Sequence, residues 1–211
     1  EAELIDELRK KNIHYYKIPY RNSNPLRYML ELQHIAKNYD VMHVNANSAT
    51  ASVELLAGRL AGVKTRIAHN HNSTCEHQVI HRLLLPLFKS LYTQAVACSK
   101  KAGDWIFGAN NYVILNNGMD IERYQFSEKS RHKIRGLYNI SENMVVIGHV
   151  SKMYKSKNYQ FLVALFEQYY ANHPDSILFL VGDGEIKKEI EEDVTNRGLN
   201  ECVIFAGMQK N

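Results

Sequence analysis

A chain of 211 residues with 45% apolar and 23% charged residues fits a soluble globular protein of one large domain or two small ones. Its net charge of +4 comes with no dense basic run and no recognisable nucleic-acid-binding module, and no stretch approaches the roughly 18 apolar residues of a membrane span. The cysteines, Cys75, Cys98 and Cys202, are scattered and odd in number; Cys98 and Cys202 lie in or beside apolar strand patterns and read as buried thiols of a reducing compartment.

Residues 1 to 10 read as a helix with Leu4, Ile5 and Leu8 on its apolar face, so the chain opens inside an element. Strands are then expected at 14–18, 41–44, 65–69, 95–98 and 112–115, with helices at 25–37, 49–61, 76–91 and 100–107. Short apolar strands alternating with helical patterns argue for an α/β protein. The periodicity weakens from 116 to 143, where one short helix is expected at 130–138. The expected division is a first domain over 1–120, a connection over 121–142 and a second domain over 143–211. Residues 1–118 hold 14 Lys and Arg against 9 Asp and Glu, whereas residues 119–211 hold 12 against 13. A basic first domain favours an anionic partner such as a lipid surface or a phosphorylated acceptor.

Val145-Val146-Ile147 reads as a buried strand, and a helix with Phe161, Leu162, Leu165, Phe166 and Tyr169 on one face follows it. Between them Lys152, Lys155 and Lys157 crowd the turn, the last two at the helix N-terminus. Lysines are unfavourable there unless an anion binds the free backbone N–H groups, and a diphosphate is the candidate. The alternative is a solvated loop. A second strand covers Ser176 to Val181, Gly182-Asp183-Gly184 forms the turn, and a helix buries Ile186, Ile190 and Val194 before stopping at Gly198. A third strand, Val203 to Phe205, leads to the loop opened by Gly207. This is half of a doubly wound sheet, whose ligands bind beyond the carboxyl ends of its strands.

Two stretches of the first domain stay ambiguous on these grounds. His69, His71 and Cys75 precede His77 and His81, which are four apart, a spacing that can hold zinc or place both on a polar helix face beside Arg82. Neither pair matches a zinc signature, so no metal is expected. Leu83-Leu84-Leu85-Pro86-Leu87-Phe88 lies between two expected strands and reads as a core-facing helix kinked at Pro86; an interfacial helix on a membrane is the alternative.

In order and spacing, several segments together resemble family 4 glycosyltransferases of GT-B architecture, most nearly the bacterial capsular and exopolysaccharide type. They are Tyr39 to Asn45, Arg66 to Asn72, Ala97 to Lys100, Ile114 to Asp120, the lysine loop and Leu180 to Gly184. The resemblance implies two facing Rossmann-like domains, the second incomplete, and sugar transfer with retention from a nucleotide-sugar donor, expected to be UDP-linked. The acceptor is expected to be a saccharide or lipid-linked saccharide at the inner face of the plasma membrane, with peripheral contact to anionic lipid, no metal cofactor and no nucleic acid. By the same resemblance Lys152 and Lys157 neutralise the donor diphosphate, Lys152 standing where the family commonly has Arg and so losing the bidentate fork. Gly182, Asp183, Gly184 and Gly207 border the sugar and base; His69, Asn117, Gly118 and Asp120 border the domain cleft. His71 aligns with a histidine near the reacting centre, placed to stabilise the leaving phosphate or orient the acceptor hydroxyl. The family's first strand and its Glu-x7-Glu segment are expected outside this chain, so the chain alone is expected to be inactive. A nucleotide-sugar epimerase of the same architecture and a non-enzymatic nucleotide-sugar-binding module are the competing readings.

Overall fold

The computed structural model describes residues 2–109 and 111–209. The chain divides into two units, Glu1–Met119 and Asp120–Asn211. The first contains helices α1 (Ala2–Lys10), α2 (Pro25–Ala36), α3 (Ser52–Leu60), α4 (Gln78–Leu91) and α5 (Lys100–Phe107). Its strands β1 (Val41–Ala46), β2 (Thr65–Asn70), β3 (Gln94–Ala97) and β4 (Val113–Ile114) form one parallel sheet in the order β1-β2-β3-β4. Small residues on the strands, Ala46, Ala68 and Ala97, let Leu55 of α3, Phe88 and Leu91 of α4 and Ile106 of α5 pack against the sheet. Side-chain caps set two helix starts: Asn24 Oδ1 accepts from Arg27 N, and Ser99 Oγ from Ala102 N.

The second unit contains helices α6 (Glu128–Leu137), α7 (Tyr159–Tyr170) and α8 (Lys187–Asn196). Strands β5 (Val145–Val150), β6 (Ser176–Val181) and β7 (Val203–Gly207) form a parallel sheet in the order β5-β6-β7. Ile190 and Val194 of α8, with Ile186 just before it, close over Leu178 and Leu180, as their spacing foretells. Gly198 ends that helix in a left-handed conformation at φ 68°, where a glycine avoids the Cβ clash.

Several expectations are corrected. Residues 14–18 form no strand. Their aromatic residues imitate strand composition, but Tyr15 and Tyr16 are exposed and use their hydroxyls on Arg9 and Tyr39, not a ladder. The first helix covers Ala2–Lys10 in agreement with the expectation, Glu1 lying outside the described residues; the 49–61 helix opens with a 3-10 turn over Ala49–Ala51. The polar stretch after 120 is helical from Glu128, where Ser127 Oγ accepts from Ser130 N; an ion pair joins Arg131 to Glu142 and a hydrogen bond joins His132 Nδ1 to Glu142 Oε1 at 2.7 Å.

Burial differs as well. β5 pairs with β6 alone among the described residues, and Val145 and Val150 are exposed although the run is apolar. α7 buries Tyr159, Val163 and Phe166 and leaves Phe161 and Leu165 in solvent. Apolar residues surround that helix, so periodicity does not choose its rotation. The observed face packs Tyr159, Val163 and Phe166 into the core, with the Tyr159 hydroxyl bonded to Ser151 Oγ at 2.9 Å and Ser151 O at 3.2 Å. Cys98 is half-buried, its Sγ 3.5 Å from His71 O, because β3 ends one residue before it; Cys202 is buried.

Candidate functional site

The carboxyl ends of β5, β6 and β7 are stitched together by their backbones. Ser151 N donates to Val181 O at 3.1 Å, Met153 N to Asp183 O at 2.9 Å, and Gly182 N to Gly207 O at 2.9 Å. Ile186 N donates to Met153 O at 3.2 Å, which ties the start of α8 to the same strand of backbone. The contact is close enough to demand glycine. A methyl on Gly182 would run into the Ser151 carbonyl, and one on Gly184 into Met153 backbone; Gly182 also has φ 136°. Asp183 folds onto its own turn, its Oδ1 accepting from Gly184 N at 2.8 Å. Lys152, Gly182, Asp183, Gly184 and Gly207 therefore share one edge.

Lys155 and Lys157 lie on a 3-10 turn, and Asn158, left-handed at φ 51°, turns the chain into α7. No side chain caps that helix start. Ion pairs of this unit occupy Arg131, Lys187 and Arg197; Lys152, Lys155 and Lys157 enter none among the described residues. All three are exposed. Uncapped N–H groups and unpaired cations therefore lie side by side on this loop. His149, unremarked in the sequence, supports this loop from below by a 3.0 Å bond from its Nε2 to Ser151 Oγ.

In the first unit the ends of β1 and β2 bring three imidazoles together. His43 Nε2 lies 3.1 Å from His69 Nδ1, and the His69 and His71 rings lie 4.2 Å apart. His71 Nε2 donates to Asn45 Oδ1 at 3.1 Å, which leaves its Nδ1 as the free ring nitrogen. His69 is 6% exposed and its Nε2 has no partner among the described residues. Burial, then His71 and His43, hold His69 below the ordinary imidazole range, so it stays neutral. Asn117 and Gly118 are exposed beyond β4, at the same edge of this sheet. Asp120 precedes a 3-10 turn over Ile121–Tyr124. His43 and Asn45 were legible only as alternate residues of a strand; nothing local in the sequence pairs them with His69 and His71.

A pocket of about 360 Å³ adjoins His43 and Asn45. Its wall carries Arg21 bonded to Glu54 at 3.0 Å and Tyr28 Oη donating to Glu54 Oε1 at 2.9 Å. Burial and the Glu54 carboxylate push Tyr28 up to about 12, so it remains a donor.

The other histidines part company. His77 stands before the first turn of α4, while His81 is buried, not on a polar face. Its Nδ1 accepts from Ala49 N at 3.0 Å and its ring stacks on Trp105 at 4.4 Å. It thus holds the 3-10 turn after β1 in place. Among the described residues no three His, Cys, Asp or Glu side chains converge as a metal site. α4 faces the core through Leu84, Leu85, Phe88 and Leu91, as expected, yet it also presents Val79, Ile80, Leu83 and Leu87 to solvent.

This arrangement is the α/β fold of GT-B proteins in part. Residues 130–211 match the family model described as Glycosyl transferases group 1. EpsF of Bacillus subtilis (strain 168) is 29% identical over 210 residues, covering 93% of this chain and 54% of that protein. The UDP-Gal:alpha-D-GlcNAc-diphosphoundecaprenol alpha-1,3-galactosyltransferase of Escherichia coli is 22% identical over 190 residues, covering 83% of this chain and 49% of that enzyme. Anabaena Alr3699/HepE, solved with UDP and glucose, superposes with a TM-score of 0.79 at 24% identity, over 97% of this chain and 59% of that one. UDP-GlcNAc 2-epimerase from Neisseria meningitidis, bound to UDP-GlcNAc, gives 0.60 at 9% identity, over 100% of this chain and 62% of that one. The chain spans about half the length of these two sequence relatives.

The buried histidines make stability depend on pH. Burial, then Arg82, hold His81 below the ordinary imidazole value, and His69 shifts the same way. The unfolded chain therefore binds more protons than the folded one as pH falls below about 6.5, so stability drops from there downward through the lowered native values. Denaturant unfolding at pH 7 and pH 5.5 should show a loss at the lower pH. His81→Gln, which keeps an acceptor for Ala49 N–H, should shrink that loss; a loss of the same size in the variant would remove His81 from this account.

Proposed function

We propose that this chain acts within a retaining glycosyltransferase that moves a sugar from a UDP-linked donor to a saccharide or lipid-linked saccharide acceptor in surface polysaccharide synthesis. The observation that carries the reading is the loop edge of the second sheet, where unpaired lysines stand over an uncapped helix start. The family match over residues 130–211 covers that edge. The UDP in the HepE structure and the UDP-Gal in the Escherichia coli enzyme's name support a UDP-linked donor.

In this reading Lys152 and Lys157 neutralise the diphosphate, and Gly182, Asp183, Gly184 and Gly207 give the sugar and base close access to backbone. No metal cofactor is needed, because the lysines and helix N–H groups supply the positive field. His71, oriented by Asn45, offers Nδ1 to the acceptor hydroxyl or, when protonated, to the leaving phosphate, with His69 behind it. The acceptor places the reaction on the cytoplasmic face of the plasma membrane. A second reading, a nucleotide-sugar epimerase, draws on the fold shared with the Neisseria meningitidis enzyme. Turnover of the donor with no acceptor present would favour it.

Two substitutions test the assignment. Lys157→Ala should weaken UDP binding by about 1–3 kcal/mol, the scale of a lost charge-assisted hydrogen bond. Unchanged affinity by calorimetry would sink the diphosphate site. In the whole enzyme His71→Ala should lower turnover by about 10²-fold, with the melting temperature almost unmoved. Transfer at the parental rate would take His71 out of the mechanism.

A further inference from the structure

We infer that Tyr159, Ser151 and His149 are positioning residues for the donor diphosphate, which aim Lys152 by holding the peptide groups on either side of it. The role rests on the reading of this loop edge as a diphosphate site. Where a side chain leaves the backbone is set by its own φ and ψ, and these are fixed when both flanking peptide planes are fixed. The plane before Lys152 carries the Ser151 carbonyl. That oxygen accepts from Tyr159 Oη at 3.2 Å, and it lies so close to Gly182 that a Cβ there would meet it. The plane after Lys152 carries the Lys152 carbonyl, which accepts from Tyr154 N at 2.9 Å and from Ser151 Oγ at 3.2 Å. Its other end is Met153 N, which donates to Asp183 O.

Counting hydrogens assigns the donors. Tyr159 and Ser151 have one hydroxyl hydrogen each. The Tyr159 hydrogen is shared between the two Ser151 oxygens, and the Ser151 hydrogen goes to the Lys152 carbonyl. His149 Nε2, 3.0 Å from Ser151 Oγ, must then donate, so its hydrogen sits on Nε2. The set is complete only with all three side chains. Tyr159 is 1% exposed, and phenylalanine would serve packing there equally well; what the hydroxyl adds is the bond to the loop. The Lys152 ammonium itself rests 5.9 Å from the centroid of the Tyr154 ring, within cation–π reach. A lysine whose root is already aimed loses less freedom on meeting an anion.

The test is a double-mutant cycle on the full chain, with UDP affinity read by NMR titration. Tyr159→Phe should weaken UDP binding about fivefold while Lys152 is present and leave it unchanged in a Lys152→Ala background, because the hydroxyl acts through that lysine. His149→Gln keeps an N–H donor at the Nε2 position and should bind UDP as the parental chain does, whereas His149→Leu should lose about fivefold. If Tyr159→Phe unfolds, the His149 pair decides. Equal weakening by Tyr159→Phe in both backgrounds, parental affinity in Tyr159→Phe or His149→Leu, or a His149→Gln chain as weak as His149→Leu would each overturn the inference while leaving the diphosphate site standing. A parental chain that binds no UDP would remove the site itself, and this role with it.

Discussion

The backbone of Ser151 to Met153 lies so close to Gly182 and Gly184 that neither glycine has room for a methyl group, and the carboxyl edge of the second sheet depends on that contact. The three inter-loop hydrogen bonds satisfy backbone groups that would otherwise be lost at the strand ends. They also fix where Lys152 leaves the loop. Met153, fully buried, pins the next residue of the loop into the core, and Tyr159 pins the start of α7 to Ser151. What remains free are the cationic side chains and the first N–H groups of α7. The rigid frame leaves only those side chains to be ordered when an anion binds, which lowers the cost of binding at this edge.

The first unit uses the ends of β1 and β2 differently. Here imidazoles, not lysines, crowd together, and burial keeps the middle one neutral. His69 can therefore support its neighbours by hydrogen bonding and stacking without adding charge. His71 is left with one fixed nitrogen and one free one. The two sheets share a construction, parallel strands whose carboxyl ends carry the polar groups, and differ in the electrostatics placed there.

Much of this frame is written in local sequence. The alternation of strands and helices, β6 to the residue, the buried face of α8 and its glycine stop all follow from period and punctuation. Other features depend on partners far along the chain. Val145 to Val150 has the composition of a buried strand, and which of its residues are covered depends on the elements packed beside it, so Val145 and Val150 stay exposed here. The rotation of α7 goes with partners outside it, the core that takes Tyr159, Val163 and Phe166, Ser151 at the Tyr159 hydroxyl and Arg197 at Glu167, since its apolar residues point all round. His81 looked like a surface residue beside Arg82, and its burial follows from Trp105 and the Ala49 N–H, neither of them near it in sequence. His43 joins His69 only through the pairing of β1 with β2. Of the candidate residues, the clustering of the second unit's lysines and glycines was legible because they sit in loops between strongly periodic elements, whereas the histidine cluster is a product of register.

The central claim is that the joined loops of the second sheet hold a nucleotide diphosphate. The most direct measurement is an NMR titration of the isotope-labelled chain with UDP. The account predicts saturable shifts concentrated on the amides of Lys152, Lys157, Tyr159, Gln160, Gly182 and Gly184. Saturable shifts confined to other parts of the chain, with those six amides unmoved, would contradict it.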